Sequence, residues 1–256
     1  VGDPFFLLKN DKNEIIIDDQ YKNPTFLFKD SVVANEQSPT TDLLVGGKYL
    51  PYRGYGISVL YAENKYETES VPLGEFSRTF YFGRSRSGAS FEVSTTTIYD
   101  SQNVAIGFKT MAYSSVQNDV VDIAVFHLGR RKASDMGLVL WNKGVVVFDA
   151  LKGFLQVIDS INITVNLYGG VQAFKLHDSA KTIPFEKIYV CSTIGLRPFL
   201  VRGGTIVINY RAYAMSLENR TDGVYLLLSP YGGAASGASV INQMDKFSAL
   251  IAYVPY

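Results

Sequence analysis

Hydrophobic and polar residues alternate along this chain in short runs, broken by Gly, Asn, Asp and Ser. The sharpest run is Gly137 to Asp149, G-L-V-L-W-N-K-G-V-V-V-F-D. Leu138 and Leu140 hold one side, Asn142-Lys143-Gly144 interrupts, and Val146 and Phe148 resume with period two. Such a pattern predicts a β-hairpin with a three-residue loop, Gly144 taking the left-handed position that a Cβ would oppose. Phe5 to Asp18, F-F-L-L-K-N-D-K-N-E-I-I-I-D, repeats the pattern with one more loop residue. Phe6, Leu8 and Asn10 match Leu138, Leu140 and Asn142, and Ile15, Ile17 and Asp18 match Val146, Phe148 and Asp149. In this copy Asn13, the next-best residue for positive φ, closes the turn. Two hairpins of one design about 131 residues apart predict an internal duplication.

The remaining runs support that reading. Thr25–Lys29, Ile57–Tyr61, Phe80–Phe82, Phe91–Ile98, Val104–Ala112 and Val120–Leu128 read as strands, and Thr95-Thr96-Thr97 is β-branched and poor for helix. Phe154–Ile158 answers Thr25–Lys29, and Lys187–Val190 answers Phe80–Phe82. Thr205–Tyr213 answers Phe91–Tyr99, Val224–Leu228 answers Val104–Phe108, and Phe247–Val254 answers Val120–Leu128. No helical stripe and no βαβ alternation interrupt the strands. The expected fold is all-β: two tandem β-sandwich (or partly open barrel) domains, residues 1–133 and 134–256, joined at the basic link Arg130-Arg131-Lys132. The N-terminal domain carries a long loop insertion over about 34–75, with one short strand near Leu43–Val45.

Composition narrows the function. Of 256 residues, 24 are Lys or Arg and 24 are Asp or Glu, so the net charge is zero. The part up to Ser134 has 14 basic and 16 acidic residues and the rest has 10 and 8, so neither half has the surplus of a general nucleic-acid or anionic-membrane binder. Cys191 is the only cysteine, which excludes an intrachain disulfide and a cysteine metal cluster. No apolar run reaches the ~20 residues of a membrane span, and no signal peptide is visible. A soluble product of a reducing compartment is expected, with no membrane insertion and no nucleic acid.

Catalytic chemistry is thinly represented. Gly83-Arg84-Ser85-Arg86-Ser87 and Gly233-Ala234-Ala235-Ser236-Gly237 both miss the strained G-x-S-x-G turn of a serine nucleophile. His127 lies in a strand run and His177 precedes Asp178, without zinc spacing. Nothing sets two members of the Glu63, Glu67, Glu69 and Glu75 cluster across a cleft, as glycoside hydrolysis requires. No catalytic residue, cofactor or metal is expected. Tyrosine is more informative: Tyr49, Tyr52, Tyr55, Tyr61 and Tyr66 crowd the insertion and suit a contact surface, with Arg84, Arg86 and Trp141 as further contact candidates.

The repeated hairpin also resembles a known family. Gly137-Leu138-x-Leu140-Trp141-Asn142…Gly144-x-x-x-Phe148-Asp149 is similar to a G-L-x-V-[WY]-N-x-x-G-x-x-x-F-D motif in small β-rich virion proteins of tailed bacteriophages. Asp119–Phe126 resembles the D-x-x-V-F-like strand found near that motif. The first copy departs from it at Phe5, Lys9 and Asn13, and the second has one loop residue fewer. The resemblance implies a structural minor tail, tail-tip or fibre-associated protein, not an enzyme, assembled in the host cytoplasm and residing in the virion. Its partners would be other tail proteins (hub, tube or fibre) and further copies of itself in a symmetric homo-oligomer. Two alternatives stand beside it: a receptor- or carbohydrate-binding module touching a host surface glycan, and a polysaccharide-degrading enzyme.

Overall fold

Alternation gives each strand two faces, so the chain must find a partner layer for every apolar one. The computed structural model describes residues 7–9, 15–18, 24–45, 48–62, 79–99, 101–102, 105–127, 135–142, 145–150, 153–191, 198–203, 208–233 and 239–255. A first hairpin of β1 (Leu7–Lys9) and β2 (Ile15–Asp18) precedes β3 (Thr25–Ala34), β4 (Glu36–Val45), β5 (Lys48–Ala62) and β6 (Thr79–Ser85). Then come β7 (Phe91–Tyr99), β8 (Ala105–Ser114), β9 (Asp119–His127) and a second hairpin, β10 (Val139–Asn142) with β11 (Val145–Asp149). The chain continues through β12 (Gln156–Thr164), β13 (Gln172–Lys175), β14 (Ile188–Cys191) and β15 (Phe199–Gly203). It ends with β16 (Ile208–Arg220), β17 (Gly223–Gly233), β18 (Ser239–Met244) and β19 (Lys246–Tyr253). Two 3-10 turns, Asp178–Thr182 and Phe185–Lys187, are the helical pieces among the described residues. The fold is all-β, built from curled antiparallel sheets.

One sheet has six strands in the order β12-β19-β14-β6-β9-β3, and the other runs β13-β17-β16-β7-β8-β5-β4 with β15 and β18 attached beside β16. The N-terminal half supplies β3, β9 and β6 to the first sheet, and the C-terminal half supplies β12, β19 and β14. In the second sheet β5, β8 and β7 meet β16, β17 and β13. Each half thus presents its strands in the same order outward from the middle, and they are mostly the strands that the sequence pattern matched. The halves join where Gly83 pairs with Val190 in one sheet and Phe91 with Met215 in the other. A Cβ on Gly83 would stand 2.7 Å from Phe91 Cε2 and 2.9 Å from Val93 Cγ2, so glycine lets the layers close at this junction.

The main core lies between the layers and draws on both halves: Val32, Tyr81, Val93, Ile123 and Val125 pack in one cluster with Val190, Met215, Leu226, Phe247 and Ile251. Two sandwiches with separate cores on either side of Ala133 are therefore not what the strands form. The outer face of the six-stranded sheet buries a second cluster, Phe82, Ala124, Phe126, Tyr189, Cys191, Ala252 and Val254. Phe126 meets Phe26 and Phe82 edge-on, with ring centroids 5.6 and 5.5 Å apart.

Two further expectations are corrected. Much of the segment read as a loop is the β4–β5 pair, ten and fifteen residues long. Polar composition and Pro39 disguised β4, but it is the outermost strand and its register slips between Ser38 and Thr41. Those are the settings in which a strand tolerates a residue without an N–H. The second hairpin also pairs Asn142 with Val145, which leaves a two-residue loop rather than three. The strand pairing of the two hairpins is alike, while Asn13 and Gly144, the expected positive-φ positions, lie outside the described residues. Leu8 faces Ile17 and Lys9 faces Ile15 with an irregularity between, as Leu140 faces Phe148 and Trp141 faces Val146. The basic link, Tyr66, the Glu63–Glu75 cluster and residues 234–237 of the second missed G-x-S-x-G turn lie outside the described residues.

Candidate functional site

Of the predicted contact residues, Tyr66 lies outside the described residues and the others fall on or beside three different sheets. Tyr49, Tyr52, Tyr55 and Tyr61 lie on β5, where Tyr55 and Tyr61 pair with Ser114 and Phe108 of β8 while Tyr49 and Tyr52 pair with β4. Trp141 is 55% exposed on β10, beside exposed Leu138 and Met136. Arg84 and Arg86 stand on β6 and just beyond it, around an acid that the sequence reading did not single out. Arg84 is only 8% exposed, so burial removes it from any flat contact surface.

That acid is Asp122 on β9. The register places Ser31 opposite Asp122 and Arg84 opposite Asp122 on its other side. Gly83 opposite Val190 then sets Tyr189 beside Arg84. These four residues form a row across the outer face, above the aromatic cluster. Arg86 donates from Nε to both Asp122 oxygens at 3.0 Å and from Nη2 to Oδ1 at 2.7 Å. Ser31 donates its hydroxyl to Asp122 Oδ1 at 2.6 Å and accepts from Arg86 Nη2 at 3.0 Å. Burial would raise the Asp122 carboxyl, but the Arg86 and Ser31 hydrogen bonds, with the charges of Arg86 and Lys29, bring it below its ordinary value.

Arg84 is served differently. Its Nη1 stays 3.9 Å from Asp122 Oδ2, beyond hydrogen-bond distance, and its guanidinium carbon lies 5.2 Å from the Phe185 ring centre. Its Nε and the Tyr189 hydroxyl are buried, and neither has a hydrogen-bond partner among the described residues. Burial pushes the Tyr189 phenol well above its ordinary value. The exposed Lys29 ammonium lies 5.5 Å from the Tyr189 ring centre. Lys187 donates to the Pro255 carbonyl at 2.7 Å from the neighbouring row. Strand alternation in Arg84-Ser85-Arg86 and in Lys187-Ile188-Tyr189 was the available signal for this face; the missing information was which strands would be neighbours.

A second polar cluster closes one end of the sandwich. Asp119 Oδ2 accepts from Ser85 and Ser114, each at 2.7 Å, and Oδ1 accepts from the Ser87 N–H at 3.2 Å. Ser85 belongs to the six-stranded sheet and Ser114 to the other, so the carboxylate ties the layers. Ser85, weighed above as part of a nucleophile motif, is a buried structural hydroxyl.

His177 is not set up for catalysis. His177 caps a 3-10 turn, its Nδ1 accepting from the Ser179 N–H at 3.2 Å and lying 2.9 Å from the Ser179 hydroxyl. Asp159 accepts from the His177 backbone N–H, not from its ring, so the three do not form a relay. His127 lies on β9 opposite Thr25 and Thr79. Among the described residues no group of three or more His, Cys, Asp or Glu side chains could hold a metal, and no helix is long and apolar enough to cross a membrane. No family model matches the chain, and no curated protein or solved structure does either.

Proposed function

We propose that this chain is a structural component of a bacteriophage virion, a minor tail, tail-tip or fibre-associated protein that works through protein–protein contacts rather than catalysis. The observation that carries the reading is the β10–β11 hairpin. It forms a two-stranded sheet of its own and holds Met136 (74% exposed), Leu138 and Trp141 toward solvent. A lone hairpin is marginally stable in water, and exposed aromatic and aliphatic side chains on one favour a partner that covers them. The hairpin is also the element that carries the likeness to tail proteins. The matching strand orders of the two halves support descent from one doubled β module, whose repeated surfaces suit a symmetric assembly.

The test is particle composition. Mass spectrometry of washed particles of a phage encoding this chain is expected to find it in fixed stoichiometry with tail proteins. Trp141→Ser is expected to lower its incorporation while leaving its denaturation midpoint unchanged. A protein found in the lysate but not in particles overturns the proposal. Saturable binding of the free protein to host polysaccharide would move the reading to a receptor-binding module.

A further inference from the structure

The outer row around Asp122 brings two arginines to one carboxylate. Arg84, Arg86 and Lys29 approach Asp122, and Asp122, Lys187, Arg86 and Arg84 all act on the Lys29 ammonium. Burial and those three cations lower the Lys29 ammonium, against the pull of Asp122. Arg86 and Ser31 already satisfy Asp122, so Arg84 is left with a cation's charge and an unbonded Nε at 8% exposure. The Tyr189 hydroxyl beside it is a second unbonded donor. A buried donor without an acceptor is costly, and two together beneath an exposed lysine mark a place where an acceptor is missing.

We propose that this row is a carboxylate-binding site, with Arg84 and Tyr189 as its floor and Lys29 over the Tyr189 ring. One carboxylate oxygen takes the Arg84 Nε–H and the other the Tyr189 O–H, both charge-assisted hydrogen bonds. The Lys29 side chain is exposed and its ammonium lies over the Tyr189 ring, so it adds positive charge at the Tyr189 end of the site. A singly charged, planar, two-oxygen ligand fits better than phosphate, because a dianion would sit beside the Asp122 carboxylate. The carboxylate comes from a small organic acid or from an acidic side chain of a neighbouring protein. The site itself does not depend on the virion reading.

The experiment is a titration of the whole protein at constant ionic strength, followed by NMR of the arginine Nε–H groups. The probes are acetate, inorganic phosphate, and a short aspartate-containing peptide with its asparagine counterpart. Acetate is expected to shift the Arg84 resonance saturably. Tyr189→Phe should weaken acetate by about tenfold or more, as loss of a hydrogen bond to a charged group predicts. Lys29→Gln, at an exposed position, should weaken it only a few-fold. Equal affinity for acetate and the aspartate peptide assigns the site to free acids. At least tenfold preference for the aspartate peptide over acetate and over its asparagine counterpart assigns it to a partner protein. No saturable shift, a shift unchanged by Tyr189→Phe, or phosphate binding tighter than both carboxylates overturns the proposal. None of these outcomes bears on whether the chain is found in particles.

Discussion

Asp119 and Asp122 belong to the same strand, β9, but stand on opposite faces, and the two faces treat a carboxylate differently. Asp119 points between the layers, where two hydroxyls and a backbone N–H from β6, β8 and the turn after β6 satisfy it with neutral donors. Asp122 points outward into a group of cations, one of which holds it in a double hydrogen bond while another pairs with it only at 3.9 Å and keeps an unbonded Nε. The inward acid is a closed account of donors and acceptors, as structural polar clusters must be. The outward row is not closed. A satisfied network holds a fold together, whereas a row with leftover donors is poised to receive something.

The contrast is tested first at Asp119. Asp119→Ala should cost about 3–5 kcal/mol, because the Ser114 hydroxyl, the Ser85 hydroxyl and the Ser87 N–H lose their shared acceptor and the two sheets are untied. Urea denaturation measures it. A loss below about 1 kcal/mol would mean that water or a neighbour already shares those hydroxyls, and the inner cluster would lose its closed character.

Asp122→Asn comes next, at about 2–3 kcal/mol, less than for a wholly buried pair because the Arg86 side chain is 55% exposed. Its pH dependence carries a sign. The folded carboxyl is held below its ordinary value, so its contribution is complete above about pH 4 and is lost as pH falls through the lower folded value. The wild-type and Asp122→Asn stabilities should therefore converge on acidification. A gap that stays constant down to pH 2 would show that the carboxylate's charge is not what stabilises the row. Ser31→Ala should cost about 1 kcal/mol, since it removes one hydrogen bond to Asp122 from an exposed strand position.

Much of the strand framework was legible because period-two alternation is local. Phe91–Ile98, Val120–Leu128 and Phe247–Val254 fall on β7, β9 and β19 nearly residue for residue. The elements that escaped are those with little alternation to read. Gln172–Lys175 is four residues long with one large apolar side chain, and of β4 only Leu43–Val45 was legible, the rest being polar around Pro39. The arrangement of the halves escaped for another reason: whether two similar sets of strands close separately or join edge to edge depends on junction contacts. Here those are Gly83 under Phe91, and Phe91 beside Met215. Neither is visible as a pattern. The same limit applies to the outer row. Arg84 and Arg86 were singled out as charges, but Asp122 and Tyr189 became their neighbours only through the pairing of β6 with β9 and β14.

The smallest expected effect separates the two faces most sharply. Tyr189→Phe removes a hydroxyl that has no hydrogen-bond partner among the described residues and keeps the ring, which is fully buried against the outer aromatic cluster. Deleting a satisfied buried hydroxyl costs stability, whereas deleting an unsatisfied one removes a desolvation penalty. The variant should therefore match the wild type or exceed it by up to about 1 kcal/mol in urea denaturation without added carboxylate. Saturating acetate should then stabilise the wild type more than the variant, because a ligand stabilises only the state that binds it. A loss of more than about 1 kcal/mol without acetate would mean that the Tyr189 hydroxyl has a partner in the free protein. The outer row would then be closed like the Asp119 cluster, and the distinction between the two faces would fail.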